Sequence, residues 1–237
     1  MSLRLSIAIG IAFAATLPSL PAQDAKGLRA CLVSGSLEYE SNKTMPILQA
    51  RLEKKGIVCS RAFLEGKDET RLPGLENLDK ADVMVLFTRR LKLSGDDLDR
   101  FKKYCLAGKP IVGIRTASHA VQTWLDLDKE VFGGDYTGHF GKGDSSIKIV
   151  DKAKNHPILA GISPFSTEGT LYKNAKIAAD CEVLLTGSIP EATMPVAWTR
   201  MYKGARIFYT SLGHQKDFEN ENFLRLLENA VAWAGRK

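Results

Sequence analysis

Short apolar runs alternate with amphipathic stretches through the first half of the chain. "LRACLVSG" (28–35), "IVCSRAFL" (57–64), "ADVMVLFT" (81–88) and "PIVGI" (110–114) are compact, rich in branched aliphatics and bounded by glycine or polar residues. That pattern predicts buried strands. Between them, "SNKTMPILQARLEKKG" (41–56) places Leu48 and Leu52 on one helical face, with Pro46 suited to a first turn and Gly56 to a stop. "SGDDLDRFKKYCLAG" (94–108) reads as a second helix. Ser94 can cap it, Asp96 and Asp97 favour its positive end, and Leu98, Phe101 and Cys105 form its apolar face. "TASHAVQTWL" (116–125) predicts a third helix directly after the fourth strand. The alternation implies an α/β fold with a mostly parallel sheet and helices on both faces. In such folds, ligands bind beyond the C-terminal ends of the strands.

The second half is less regular. "GGDYTGHFGKGDSS" (133–146) is a glycine-rich polar loop, and "SIKIV" (146–150), "EGTLY" (168–172) and "EVLLTG" (182–187) are candidate strands. "PVAWTRMYKGARIFYTSLG" (195–213) predicts a hairpin turning at Lys203-Gly204. A closing helix over 220–237 has Phe223, Leu226, Leu227, Ala230 and Trp233 on one face. No repeat or linker interrupts 28–237, which reads as one domain. Ahead of it, residues 1–22 carry a basic start at Arg4, an apolar run and then small residues and prolines. This is the layout of a signal peptide, and it predicts an exported protein, periplasmic or extracellular, with no membrane span after cleavage.

Composition adds little to the pattern. A formal charge of +6, with Lys and Arg scattered among acids, gives no basic stripe for nucleic acid. The four cysteines, Cys31, Cys59, Cys105 and Cys181, show no CxxC spacing. They read as buried thiols, and Cys31 with Cys59 is the first pair to test for a bridge. None stands at a strand-to-helix bend, where a helix N-terminus would activate it.

Polar residues collect at the expected strand ends. Ser36, Glu38 and Tyr39 follow the first strand, Arg89 the third, Arg115 and His119 the fourth, and His214 the last; the glycine-rich loop adds Asp135, Tyr136 and His139. Convergent polar groups at such ends are the default site. His214 is the candidate general acid or base and Glu38 the opposing acid. Arg115 is a candidate fork for an anionic or carbonyl oxygen. Tyr39, Tyr136 and Trp198 can offer faces to a sugar ring. A serine triad lacks its GxSxG elbow. A divalent metal on His119, His139 and His214 lacks compact ligand spacing. No cofactor is therefore expected, and the metal-dependent hydrolase is the weaker reading.

The C-terminal "PVAWTRMYKGARIFYTSLGH" with "AVAWAGR", together with "VSGSLEYES", "VFGGDYTGHF", "HPILAGI" and "EGTLYKN" in that order, resembles the ThuA-like (trehalose utilisation) family. The resemblance implies a class I glutamine amidotransferase-like fold, a flavodoxin-like three-layer sandwich. In that alignment, Arg115 occupies the position of the amidotransferase cysteine. His214 matches the catalytic histidine, and Lys216 stands where the acid should be. The resemblance thus implies loss of glutamine hydrolysis and a carbohydrate or sugar-derivative ligand. Two functions follow from it: a sugar-active enzyme, or a non-catalytic binding or sensor module. The substrate and the oligomeric state are not specified by the sequence.

Overall fold

The computed structural model describes residues 27–141 and 143–236; the expected signal segment lies outside them. One nine-stranded sheet organises the chain. Its strands are β1 (Arg29–Gly35), β2 (Val58–Phe63), β3 (Val83–Thr88), β4 (Ile111–Ile114), β5 (Ser145–Ile149), β6 (Phe165–Thr167), β7 (Glu182–Ile189), β8 (Ala192–Tyr202) and β9 (Ala205–Thr210). The spatial order is β2-β1-β3-β4-β9-β8-β7-β5-β6. β2, β1, β3, β4 and β9 pair in parallel. From β9 outward through β8, β7, β5 and β6 every pairing is antiparallel. The expectation of a mostly parallel sheet is therefore corrected: half the ladders are antiparallel, because the second half of the chain returns by hairpins rather than crossover helices.

Three α-helices cover the sheet: α1 (Ser41–Lys54), α2 (Gly95–Leu106) and α3 (Glu221–Ala234). Side chains alternate across the parallel strands. Leu32, Val85 and Ile114 pack with Leu48 and Leu52 of α1 and Leu226 and Leu227 of α3. Val33, Met84, Leu86 and Ile111 pack with Phe101 and Cys105 of α2 and with Leu75 and Leu78. The period of two in the strands thus feeds one core on each face. Fully burying each of these leucines contributes about 1.5–3 kcal/mol. Cys31 and Cys59 belong to opposite cores, and all four thiols are free. Adjacent strands bring their backbones together but point the two sulfurs apart, which corrects the bridge expectation.

Three local expectations also change. α1 begins at Ser41, so Pro46 lies inside it rather than in its first turn. Ser41 sets that start, because its hydroxyl accepts from the Ser34 hydroxyl and the Ser36 N–H, both at 2.8 Å. The helix expected over 116–125 is only a 3-10 turn, Arg115–His119. Beyond it, Val121 pairs with Leu91 as a lone bridge, which draws the chain off the helical path. Residues 168–172 form no strand, and β6 ends just before them. The Lys203-Gly204 hairpin turn is present, with both residues at positive φ, 49° and 83°. No helix among the described residues is long and apolar enough to cross a membrane.

Candidate functional site

Parallel strands end on one edge, and β1, β3, β4 and β9 deliver their following residues there. Arg115 leaves β4 at φ 47°. A left-handed non-glycine residue at that position costs about 1–2 kcal/mol and persists only when its surroundings fix it. Here they do. Its carbonyl accepts from the Tyr209 hydroxyl at 2.7 Å. Its guanidinium donates to the Ser211 carbonyl at 2.7 Å and to the Thr170 hydroxyl at 3.2 Å. The rings of Tyr39 and Tyr172 stand 4.5 and 4.7 Å from its guanidinium carbon. Burial opposes the charge, but Tyr172, Tyr39 and Asp217 offset it and the net shift of its pKa is upward.

Arg115 is thus 1% exposed. The expectation of a fork open to a ligand is corrected: both terminal nitrogens already hold protein oxygens. Glu38 does not face it either. That carboxylate is exposed and pairs with Arg89 at 2.5 Å. The cation is instead balanced by carbonyl dipoles, two aromatic faces and the longer-range charge of Asp217. Trp198 is also corrected. It is 1% exposed, its indole donates to the Phe132 carbonyl at 2.8 Å, and it offers no ring to solvent. Ser36 is buried, with its hydroxyl accepting from Thr116 at 3.3 Å.

His214 caps the 3-10 turn Gln215–Glu219 and is half-buried. Asp217 holds it in place. The buried Asp217 carboxylate accepts from the N–H groups of Gly213 and His214 at 2.8 and 2.9 Å and from the Thr167 hydroxyl at 2.5 Å. This acid stands three residues after the histidine, and it binds His214 through the backbone rather than through the imidazole. A Cβ on Gly169 would come within 3.1 Å of Arg115 Nη1 and 3.2 Å of His214 Cβ. The absence of a side chain there lets the 168–172 segment seal the space between the two.

His119, Tyr136 and Tyr172 continue the aromatic series. His119 stacks on Tyr136 at 4.6 Å, and Tyr136 meets Tyr172 at 4.5 Å. His119 Nδ1 lies 3.0 Å from the Ser118 hydroxyl. Burial, followed by Arg90, Arg89 and Arg115, pushes the imidazole pKa down to about 3, so His119 is neutral at any physiological pH. Ser118, His119, Tyr136, Arg90, Asp128 and Asp135 line one cleft of about 480 Å³. His139 lies outside that lining; it is exposed, with Nδ1 2.8 Å from the Phe140 carbonyl. Among the described residues, no three His, Cys, Asp or Glu side chains gather to hold a metal ion.

The structure therefore groups the expected residues in two places. Arg115, Tyr39 and His214 surround the elbow, with the Arg89–Glu38 pair beside them. His119, Tyr136 and Asp135 form the cleft. Four residues were missed: Thr170, Tyr172, Asp128 and Asp217. The spacing of His214 and Asp217, a capping pair, was the only local signal for any of them. None of the cysteines lines the cleft, although Cys181 lies against the Phe132 and Gly133 carbonyls behind its loop. Burial raises Cys31 to about 11, Cys59 to about 12 and Cys181 to about 11, and it raises Cys105 further.

The trehalose-utilisation (ThuA) family model matches residues 29–234. Among solved structures, the chain is similar to a ThuA-like protein of Parabacteroides merdae, at 20% identity over 89% of this chain and 90% of that one, with TM-score 0.69. It is also similar to a ThuA-like protein of Bacteroides uniformis, at 18% identity over 91% and 95%, with TM-score 0.67. A protein of Salmonella typhimurium described as cytoplasmic matches at 16% identity over 89% and 100%, with TM-score 0.60. At these identities the likeness is one of fold. No curated protein matches the chain.

Proposed function

The chain belongs to the ThuA family, whose fold is glutamine amidotransferase-like, and from that premise we propose that it binds and transforms a carbohydrate or sugar derivative at the strand-end edge, without hydrolysing glutamine. One observation carries the reading: the half-exposed Tyr136 ring lies in a cleft among Arg90, Ser118 and Asp135. An aromatic face ringed by hydrogen-bonding groups suits the apolar face and the hydroxyl rim of a sugar ring. His214 stands at the elbow, half-buried beside Tyr39 with ring centroids 6.4 Å apart, and would transfer a proton to a ligand that reaches from the cleft to that place.

The elbow supports the proposed absence of glutamine hydrolysis. A guanidinium is not a nucleophile, and the four thiols are held protonated by burial. The same fact supports a second reading, a binding or sensor module without turnover, because the position that carries chemistry in the fold's amidotransferases is filled by a buried brace. Export through residues 1–22 is part of the proposal, and an intact mass lacking that segment in the secreted or periplasmic fraction would test it. Thermal-shift screening against disaccharides and oxidised sugars, followed by mass spectrometry of products, separates the two functions. Stabilisation with product supports the enzyme, stabilisation without product the binder, and no stabilisation by any sugar overturns both.

A further inference from the structure

Asp128 is a buried acid in the lining of the cleft, and no cation among the described residues pairs with it. It opens a single wide π-helical turn, Asp128–Phe132, which ends at Gly133 with φ 67°. The chain then folds back over it. The Gly134 N–H donates to the Asp128 carbonyl at 2.9 Å. The Tyr136 N–H donates to Asp128 Oδ2 at 2.9 Å. A Cβ on Gly134 would stand 2.0 Å from Oδ1, so only glycine permits this approach. Oδ1 itself has no hydrogen-bond partner among the described residues.

We propose that Asp128 is a positioning residue, a proton-operated clasp on the 133–138 loop that sets the Tyr136 ring against His119. Its bearing on ligand binding rests on the carbohydrate reading, because Tyr136 is the platform of that reading. The clasp itself does not depend on it.

The surroundings give the direction. Asp135 on the same loop adds a like charge. Tyr209 on β9 and Cys181 before β7 also feel the Asp128 charge, and both are raised by it. The Arg200 guanidinium comes near Gly133, yet its nitrogens are engaged by Asp180 and the Glu130 carbonyl. On the cleft side stand neutral His119, then Arg90, Asp126 and Lys129; Arg90 Nη1 is bonded to Gln122. Nothing among the described residues forms an ion pair with Asp128. Burial, with Asp135 adding and the Tyr136 N–H opposing, pushes its pKa up to about 7. The closed loop thus favours the protonated acid, and by linkage ionisation favours the open loop.

Hydrogen exchange of the wild-type chain without sugar tests this directly. Protection of amides 134–138, corrected for intrinsic rates, is expected to fall about fivefold or more between pH 6 and pH 8.5. D128N keeps an oxygen for the Tyr136 N–H and never ionises, so its protection should stay high and flat. D128A has no acceptor, so its protection should be low at both pH values. A flat wild-type profile overturns the clasp, and so does a D128N profile that falls like the wild type. If D128N does not fold, the wild-type profile alone decides. Failure of every sugar to bind would overturn the carbohydrate reading and leave these profiles unchanged.

Discussion

Replacing Arg115 distinguishes a structural cation from a ligand-gripping one. The side chain is buried, its 2.7 Å bond reaches the Ser211 carbonyl, and two tyrosine faces flank it. The charge-assisted bond contributes about 1.5–3 kcal/mol, and each ring face about 0.5–2 kcal/mol. Burying the guanidinium costs several kcal/mol, so the net is well below the gross. Truncation to Ala loses the contacts, opens a cavity and orphans the Ser211 and Thr170 oxygens. It should cost about 3–5 kcal/mol, a fall in Tm of roughly 10 °C for a chain of this length. Met fills most of the space and carries no charge to desolvate, so Arg115→Met should cost about 1–2 kcal/mol. Urea unfolding at pH 7 reads both. An Ala variant within about 0.5 kcal/mol of wild type that has lost sugar binding would refute the brace and restore Arg115 as a ligand contact.

Other outcomes follow from the same geometry. Asp128 is raised in the folded state, so the stability it contributes is fully present below the unfolded value of 3.8 and is lost as pH rises through about 7. D128N should therefore gain on wild type across that window by up to about 4 kcal/mol in paired denaturation curves. Asp217→Asn can keep its oxygen for the Gly213 and His214 N–H groups but turns an NH2 toward the Thr167 hydroxyl and loses the charge, and should destabilise by about 1–3 kcal/mol in the same assay. Glu38→Gln breaks an exposed pair with Arg89 and should change stability by less than about 1 kcal/mol. Native protein at pH 8 should react slowly with a thiol reagent at all four cysteines, and quickly once unfolded.

The legible parts of the sequence were those where one local pattern faced no tertiary competitor. β1, β3, β4 and α2 fall where apolar period and glycine stops put them. The antiparallel run of β7, β5 and β6 was not legible, because strand polarity depends on which neighbour a strand meets, and no local period records that. "TASHAVQTWL" has helical spacing, yet the Ser118 hydroxyl bonds locally, the Thr116 hydroxyl reaches Ser36 after β1 and Val121 joins Leu91, so tertiary pairing prevails over propensity. "EGTLY" looks extended but wraps Arg115, with Thr170 and Tyr172 as its partners. The elbow position of Arg115 was readable; its burial was not, since nothing local to "GIRTASH" announces two tyrosines from distant segments. Asp128 was invisible for a similar reason, because its partner loop only encloses it once folded.

On the proposed carbohydrate function, a sugar is held on Tyr136 in the strand-end cleft. Thermal shift of wild type and Tyr136→Ala against trehalose, glucose and their oxidised forms tests it most directly. At least one sugar is expected to raise the wild-type Tm, and the shift should disappear in Tyr136→Ala while the unliganded variant stays folded. A sugar-induced shift of equal size in both proteins, or none in wild type with any of them, would contradict it.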